Sequence, residues 1–183
     1  MQVIPTQIPD VKIIVPAKHG DHRGFFSEIY SRKALAEIGV DLEFVQDNHS
    51  LSAQKCVLRG LHYQLPPMAQ AKLVRVIRGA ILDVAVDIRR SSPSFGKHVS
   101  AVLSAENWKQ IFVPVGFAHG FVTLEENTEV LYKVTNYYSP RHERGILWND
   151  PKLAIGWSID PAAAVLSKRD LDHPPLDGAT ELF

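Results

Sequence analysis

The sequence predicts an all-β fold: an antiparallel sandwich, jelly roll or barrel. Three observations carry that reading. Short apolar or alternating runs recur at roughly eight-to-twelve-residue spacing, with turn residues between them. The crossover helices that a parallel sheet needs are missing. Within Ala80–Ile88, residues Leu82, Val84, Val86 and Ile88 alternate with Asp83, Ala85 and Asp87, the period of a half-buried strand.

The elements follow in order. Val11–Val15 is the first run, and the turn His19-Gly20-Asp21 separates it from Phe25–Tyr30. A short helix is expected at Arg32–Ile38, with Ser31 as its N-cap and Gly39 at its end. Strands are expected at Phe44–Leu51 and Cys56–Tyr63, and then Leu65-Pro66-Pro67 turns the chain. Lys72–Ile77 and Ala80–Ile88 are divided by Arg78-Gly79, and Ser92-Pro93-Ser94 leads into His98–Leu103. Trp108–Val113, Ala118–Thr123 and Glu129–Asn136 complete the series before Ser139-Pro140. Arg141–Phe183 is less regular, with Pro-containing turns and weak helical signals around Pro161–Leu166. No repeat, low-complexity tract or linker interrupts the chain. Residues 1–183 are therefore expected to form a single jelly-roll domain, with 141–183 as a tail packed on it.

Composition narrows the function classes. Lys+Arg and Asp+Glu number 20 each, and a balanced charge argues against a nucleic-acid or anionic-membrane partner. Any phosphate is expected to meet a local cluster of cations. Cys56 is the only cysteine, which fits a reducing, cytoplasmic compartment. Met1–Thr6 has neither a basic nor an apolar signal-peptide region, and no apolar run approaches the roughly 20 residues of a membrane span.

Polar groups concentrate in three strand-like stretches. In Arg59-Gly60-Leu61-His62-Tyr63-Gln64, strict alternation puts Arg59 and His62 on opposite faces; either a bulge at Gly60 turns both inward, or this is an edge strand with solvent-facing Arg and His. In Lys72-Leu73-Val74-Arg75-Val76, Lys72 and Arg75 fall on opposite apolar faces, so at least one cation either enters a lined cavity or snorkels to solvent at a strand end. Tyr132 shares its face with Val130 and Val134. Its hydroxyl is either a structural hydrogen-bonding group or a proton donor. Pro114-Val115-Gly116-Phe117-Ala118-His119 matches half of the metal-binding cupin pattern. The other half reads His62-Tyr63-Gln64, and two His with an amide make a poor divalent site. A cupin-like barrel or sandwich without a metal is the expectation.

Seven blocks then occur in order: Asp21-x-Arg23-Gly24-Phe25-Phe26-x-Glu28, Gln46-Asp47-Asn48-His49-Ser50, Leu58-Arg59-Gly60-Leu61-His62-Tyr63-Gln64, Lys72-Leu73-Val74-Arg75, Pro114-x-Gly116-Phe117-Ala118-His119-Gly120-Phe121, Tyr132-Lys133-x-Thr135-Asn136-Tyr137-Tyr138 and Gly145-Ile146-x-Trp148-Asn149-Asp150. Together they resemble the dTDP-4-dehydrorhamnose 3,5-epimerase family, from about Val11 to Asp170. The resemblance implies a cupin-like jelly roll that needs no metal or organic cofactor. It implies a dTDP-sugar substrate, dTDP-4-dehydro-6-deoxy-D-glucose, inverted at carbons 3 and 5 to dTDP-4-dehydro-L-rhamnose. An enzyme that inverts only one of the two carbons shares these motifs and is the nearest alternative; a metal-dependent cupin enzyme is the next.

The resemblance also implies roles. His62 corresponds to the base, Tyr132 to the acid on the other face of the sugar, and Asp170 to the carboxylate that orients the base. Lys72 corresponds to the cation near the keto oxygen, Arg23 and Arg59 to diphosphate contacts, and Tyr138 to the aromatic stacked on thymine. Phe26 and Glu28 belong to the nucleotide-pocket block, and Gln46, Asp47, Asn48, His119 and Glu143 to further substrate contacts. A homodimer is implied, in which the N-terminal strand carries Arg23 to Glu28 into the partner's site. One departure stands out: the family's Ser-x-Lys-Asp reads Ser167-Lys168-Arg169-Asp170 here. Arg169 keeps the charge but not the shape of that Lys, and Lys168 is the alternative after a register shift.

Overall fold

Two antiparallel sheets face each other in the computed structural model, which covers residues 1–183. The chain runs β1 (Gln2–Ile4), β2 (Lys12–Val15), β3 (His19–Asp21), β4 (Gly24–Phe26), α1 (Arg32–Glu37), β5 (Gln46–Ser52), β6 (Leu58–Gln64) and β7 (Lys72–Arg78). It continues through β8 (Ala80–Asp87), β9 (His98–Ser104), β10 (Gln110–Val113), β11 (Phe117–Thr123), β12 (Thr128–Val134), β13 (Glu143–Gly145) and α2 (Lys168–Leu171). One sheet has the order β1-β2-β10-β7-β12-β5 and the other β13-β6-β11-β8-β9, while β3 and β4 form a separate hairpin. The two sheets stay distinct, so the sandwich and not the closed barrel is the form of jelly roll realised.

The core sits in layers. Between the sheets, Val74, Val76 and Val130 meet Ile81, Ala85, Leu103, Phe117 and Phe121. Behind the five-stranded sheet, Leu82, Val84 and Val86 pack against Ile146, Trp148, Leu153, Trp157 and Leu176 of the C-terminal segment. Behind the six-stranded sheet, Leu35 and Val40 around α1 cover Ile14, Leu73 and Phe112. Fully burying each Val, Leu, Ile or Phe side chain among these contributes about 1.5–3 kcal/mol. Ser31 caps α1 as expected, its hydroxyl accepting from the Ala34 amide at 3.4 Å. No helix is long and apolar enough to cross a membrane.

Several expectations need correction. Strand β8 is buried on both faces, not one. The C-terminal segment covers the Leu82 face, while the face bearing Asp83 looks into the sandwich, where hydrogen bonding to His119 satisfies the carboxylate. Strands β1, β3 and β13 lie outside the predicted runs, and the run Phe25–Tyr30 shrinks to β4. Beyond β4 the chain is held by side chains instead of a ladder: Trp108 Nε1 donates to Ser27 Oγ at 3.1 Å, and Gln110 Nε2 to the Ile29 carbonyl at 2.9 Å. The helical signal at Pro161–Leu166 yields only a 3-10 turn at Pro161–Ala163, capped by Asp160, and the true helix there is α2.

Candidate active site

One irregularity in β6 builds the cavity. Its pairing with β11 shifts register between His119 and Phe121, opposite Gly60. Gly60 has φ +127°, and a Cβ there would stand 2.6 Å from the Gly120 Cα. Only glycine accepts both the backbone conformation and that close approach. The shift lets Arg59 and His62 line the same space, a cavity of about 350 Å³ between the sheets. Of the two readings of this stretch, the bulge is the one realised.

The facing wall comes from the six-stranded sheet. Period-two geometry on β7 turns Lys72 inward and sends Arg75 outward, where it lies 4.6 Å from the Trp108 ring. Strand β12 turns Tyr132 into the cavity, beside the core residues Val130 and Val134. On β5, Gln46 and Asn48 line an adjoining recess that shares His62, Lys72 and Tyr132 with the cavity and also contains Tyr138 and Glu143. Gln46 Nε2 donates to Asn48 Oδ1 at 2.8 Å.

The C-terminal segment supplies the carboxylate. His62 Nε2 donates to Asp170 Oδ1 at 2.6 Å, and Ser167 Oγ donates to Asp170 Oδ2 at 2.7 Å. The Asp170 carboxyl is almost fully buried, which by itself raises its pKa. Hydrogen bonds from His62 and Ser167 outweigh that and bring it down to about 2. An ionised Asp170 fixes the His62 tautomer with the proton on Nε2, leaving the Nδ1 lone pair free to take a proton. His119, paired across the sheet with His62, donates from Nε2 to the buried Asp83 at 2.9 Å. Burial pulls the His119 pKa down, against the pull of Asp83.

Two more groups are tuned by burial. Lys72 is lowered to about 8, the loss of water outweighing Asp83 and Glu143. The Tyr132 phenol is raised by burial, partly offset by Arg59, so it holds its proton at neutral pH. At the cavity rim, Tyr138 donates to Glu143 at 2.6 Å, and Glu143 also pairs with Arg169. Arg169, not Lys168, therefore faces the cavity. A second hollow, about 310 Å³, shares Arg169 and His173 with this region, but its Arg144 is consumed by Glu181 at 2.6 Å.

Not every expected residue converges. Asp47 lies on the opposite face of β5 from Gln46 and Asn48 and pairs with Lys133 at 2.8 Å, a consequence of strand alternation. Arg23, Phe26 and Glu28 stand exposed on or beside the β3–β4 hairpin, outside this chain's cavity, and Arg23 pairs with Asp21. Ser50, Asp83, Ser167 and His173 join or adjoin the site without a role that the sequence assigns. Ser167 three residues before Asp170 is an N-cap spacing that was available to read.

A carboxylate-held imidazole on one sheet and a protonated phenol on the other line one cavity of a cupin-like sandwich, the arrangement of an enzyme site suited to acid–base chemistry. Residues 5–178 match the model of the family described as dTDP-4-dehydrorhamnose 3,5-epimerase, and the chain belongs to that family. A Salmonella typhimurium dTDP-4-dehydrorhamnose 3,5-epimerase is 54% identical over 98% of this chain and 97% of its own. The Bacillus anthracis enzyme, crystallised with TDP and pyrophosphate, superposes with a TM-score of 0.92 at 49% identity, covering 95% of this chain and 98% of its own. A Legionella pneumophila epimerase in complex with dTDP-4-keto-L-rhamnose gives 0.91 at 47% identity, covering 96% and 93%.

Proposed function

We propose that the protein inverts carbons 3 and 5 of dTDP-4-dehydro-6-deoxy-D-glucose, giving dTDP-4-dehydro-L-rhamnose. The observation that carries this reading is the entry of His62 and Tyr132 into one cavity from opposite sheets. Both carbons adjoin the carbon-4 ketone, so each proton is acidic only if the enolate formed on its removal is stabilised. His62 takes the proton, and Asp170 stabilises the imidazolium that results. The Lys72 ammonium faces the oxygen on which charge develops; a donor of this kind contributes about 10²–10³ in rate. Tyr132 returns a proton to the opposite face, and the phenolate left behind lies in the field of Arg59. The ketone is the electron sink. In this reading Arg59 and Tyr138, which line the cavity and its adjoining recess, hold the diphosphate and the thymine.

A homodimer completes the site in this reading. Phe26 is 71% exposed and Arg23 has no role in its own cavity, which supports a hairpin that serves a second copy.

The test is to incubate the pure protein with the 4-dehydro sugar nucleotide and determine product configuration by NMR. Inversion at both carbons is expected. Inversion at one carbon only would convert the reading to a mono-epimerase.

A further inference from the structure

His173 is the buried titratable group that the reaction above leaves unused. Its Nε2 is buried and has no hydrogen-bond partner, although buried polar atoms are nearly always satisfied. It points at the carboxylate that holds His62: His173 Nε2 is 4.0 Å from Asp170 Oδ1. The two imidazoles meet edge to face with centroids 5.5 Å apart. The space for the ring exists because residue 145 is glycine, where a Cβ would collide with it.

We propose that His62, Asp170 and His173 form an inhibitory site for a borderline divalent cation of the zinc type. Two imidazoles and a carboxylate are a three-ligand set that zinc takes with its fourth position open. All three donor atoms already lie within 4.8 Å of one another. Bonds of about 2.0–2.1 Å at tetrahedral angles put donors roughly 3.3 Å apart. The present separations from Asp170 Oδ1, 2.6 Å to His62 and 4.0 Å to His173, bracket that distance. Binding needs a short opening of the His62–Asp170 pair, a closing of the His173–Asp170 pair, and the two imidazole nitrogens, now within 4.8 Å, brought to the same spacing. Nearby cations oppose the ion, but Arg169 is already paired with Glu143.

Inhibition follows from the tautomer. Zinc takes the Nε2 lone pair of His62, so the ring proton moves to Nδ1, the nitrogen that otherwise accepts the sugar proton. No net proton is released, and the base is silenced.

The experiment titrates zinc chloride into the full-length protein by calorimetry and into the epimerase assay. Cobalt(II) absorption serves as a binding readout independent of turnover. His173→Phe keeps a ring against His62 but removes the ligand, and His173→Asn is the second variant should the first not fold. Loss of an outer-sphere partner alone weakens metal binding 10–100-fold, so losing a direct ligand is expected to weaken it by at least about 100-fold. Zinc-free turnover should stay at the parent level. His19 and His22 are exposed on the hairpin, so the zinc uptake sensitive to His173 is the one that counts. Zinc affinity and inhibition unchanged in the His173 variants, or no zinc uptake by the parent, would overturn the proposal. Zinc binding without any epimerase activity would leave this site standing and defeat the functional reading instead.

Discussion

His62 and Tyr132 belong to different sheets yet line the same cavity. A substrate held between the sheets is therefore approached from two sides. In the proposed reaction one side takes a proton from the sugar and the other gives one back, which is the requirement for inversion.

Removing the base should cost turnover and leave binding nearly intact. His62→Asn and Asp170→Asn are each expected to lower kcat by about 10²–10⁴ with little change in KM. Asn at position 170 still accepts from Nε2 but does not stabilise an imidazolium. Steady-state kinetics on folded variants check this; an Asp170→Asn enzyme with parent kcat would remove the carboxylate from the mechanism.

Lys72 predicts the alkaline limb. With its pKa lowered to about 8, the ammonium is present below that pH and lost above it. The pH profile of kcat/KM should therefore fall above about pH 8, close to tenfold per unit, since kcat/KM reports the free enzyme. Tyr132, raised by burial, keeps its proton through this range and does not produce the limb. Lys72→Arg should abolish the limb at a lower plateau, because a guanidinium stays charged but has another shape.

Much of this was legible beforehand. Turn chemistry and period-two runs located the strands that carry His62, Lys72 and Tyr132, and the ordered motif blocks named all three. Long-range relationships were hidden. Nothing local shows that Asp83 faces inward, because the C-terminal segment that covers the other face of β8 lies far along the chain. His173 carries no motif, and its place beside His62 depends on the fold around Gly145. Asp47 shows the opposite limit: it belongs to a matching block, but alternation on β5 turns it outward to Lys133, away from this chain's cavity. The short strands β1, β3 and β13 offer too few residues for a period to appear.

Gly60 is predicted to be irreplaceable for structural reasons. Gly60→Ala meets Gly120 across the sheet and must hold φ +127°, a conformation that alone costs on the order of 1–3 kcal/mol. Chemical unfolding should show at least that loss, together with reduced turnover as Arg59 and His62 move apart. A variant with parent stability would mean that the register shift does not depend on this glycine.

The exposed hairpin predicts complementation. If Arg23 works in the partner's cavity, Arg23→Ala and His62→Asn homodimers are each defective, but a heterodimer has one site with both residues intact. Random subunit mixing should restore about a quarter of parent activity. No gain on mixing, with exchange verified by native mass spectrometry, would place Arg23 in its own chain's chemistry.

The most direct measurement follows deuterium in Tyr132→Phe. In heavy water the parent should deliver inverted product labelled at carbons 3 and 5. With the phenol gone, His62 still removes the proton and returns a deuteron to the face it came from. The substrate should therefore gain label while keeping its configuration. Undiminished inversion in Tyr132→Phe would contradict a two-sided proton transfer, and so would label that still washes in when His62 is Asn.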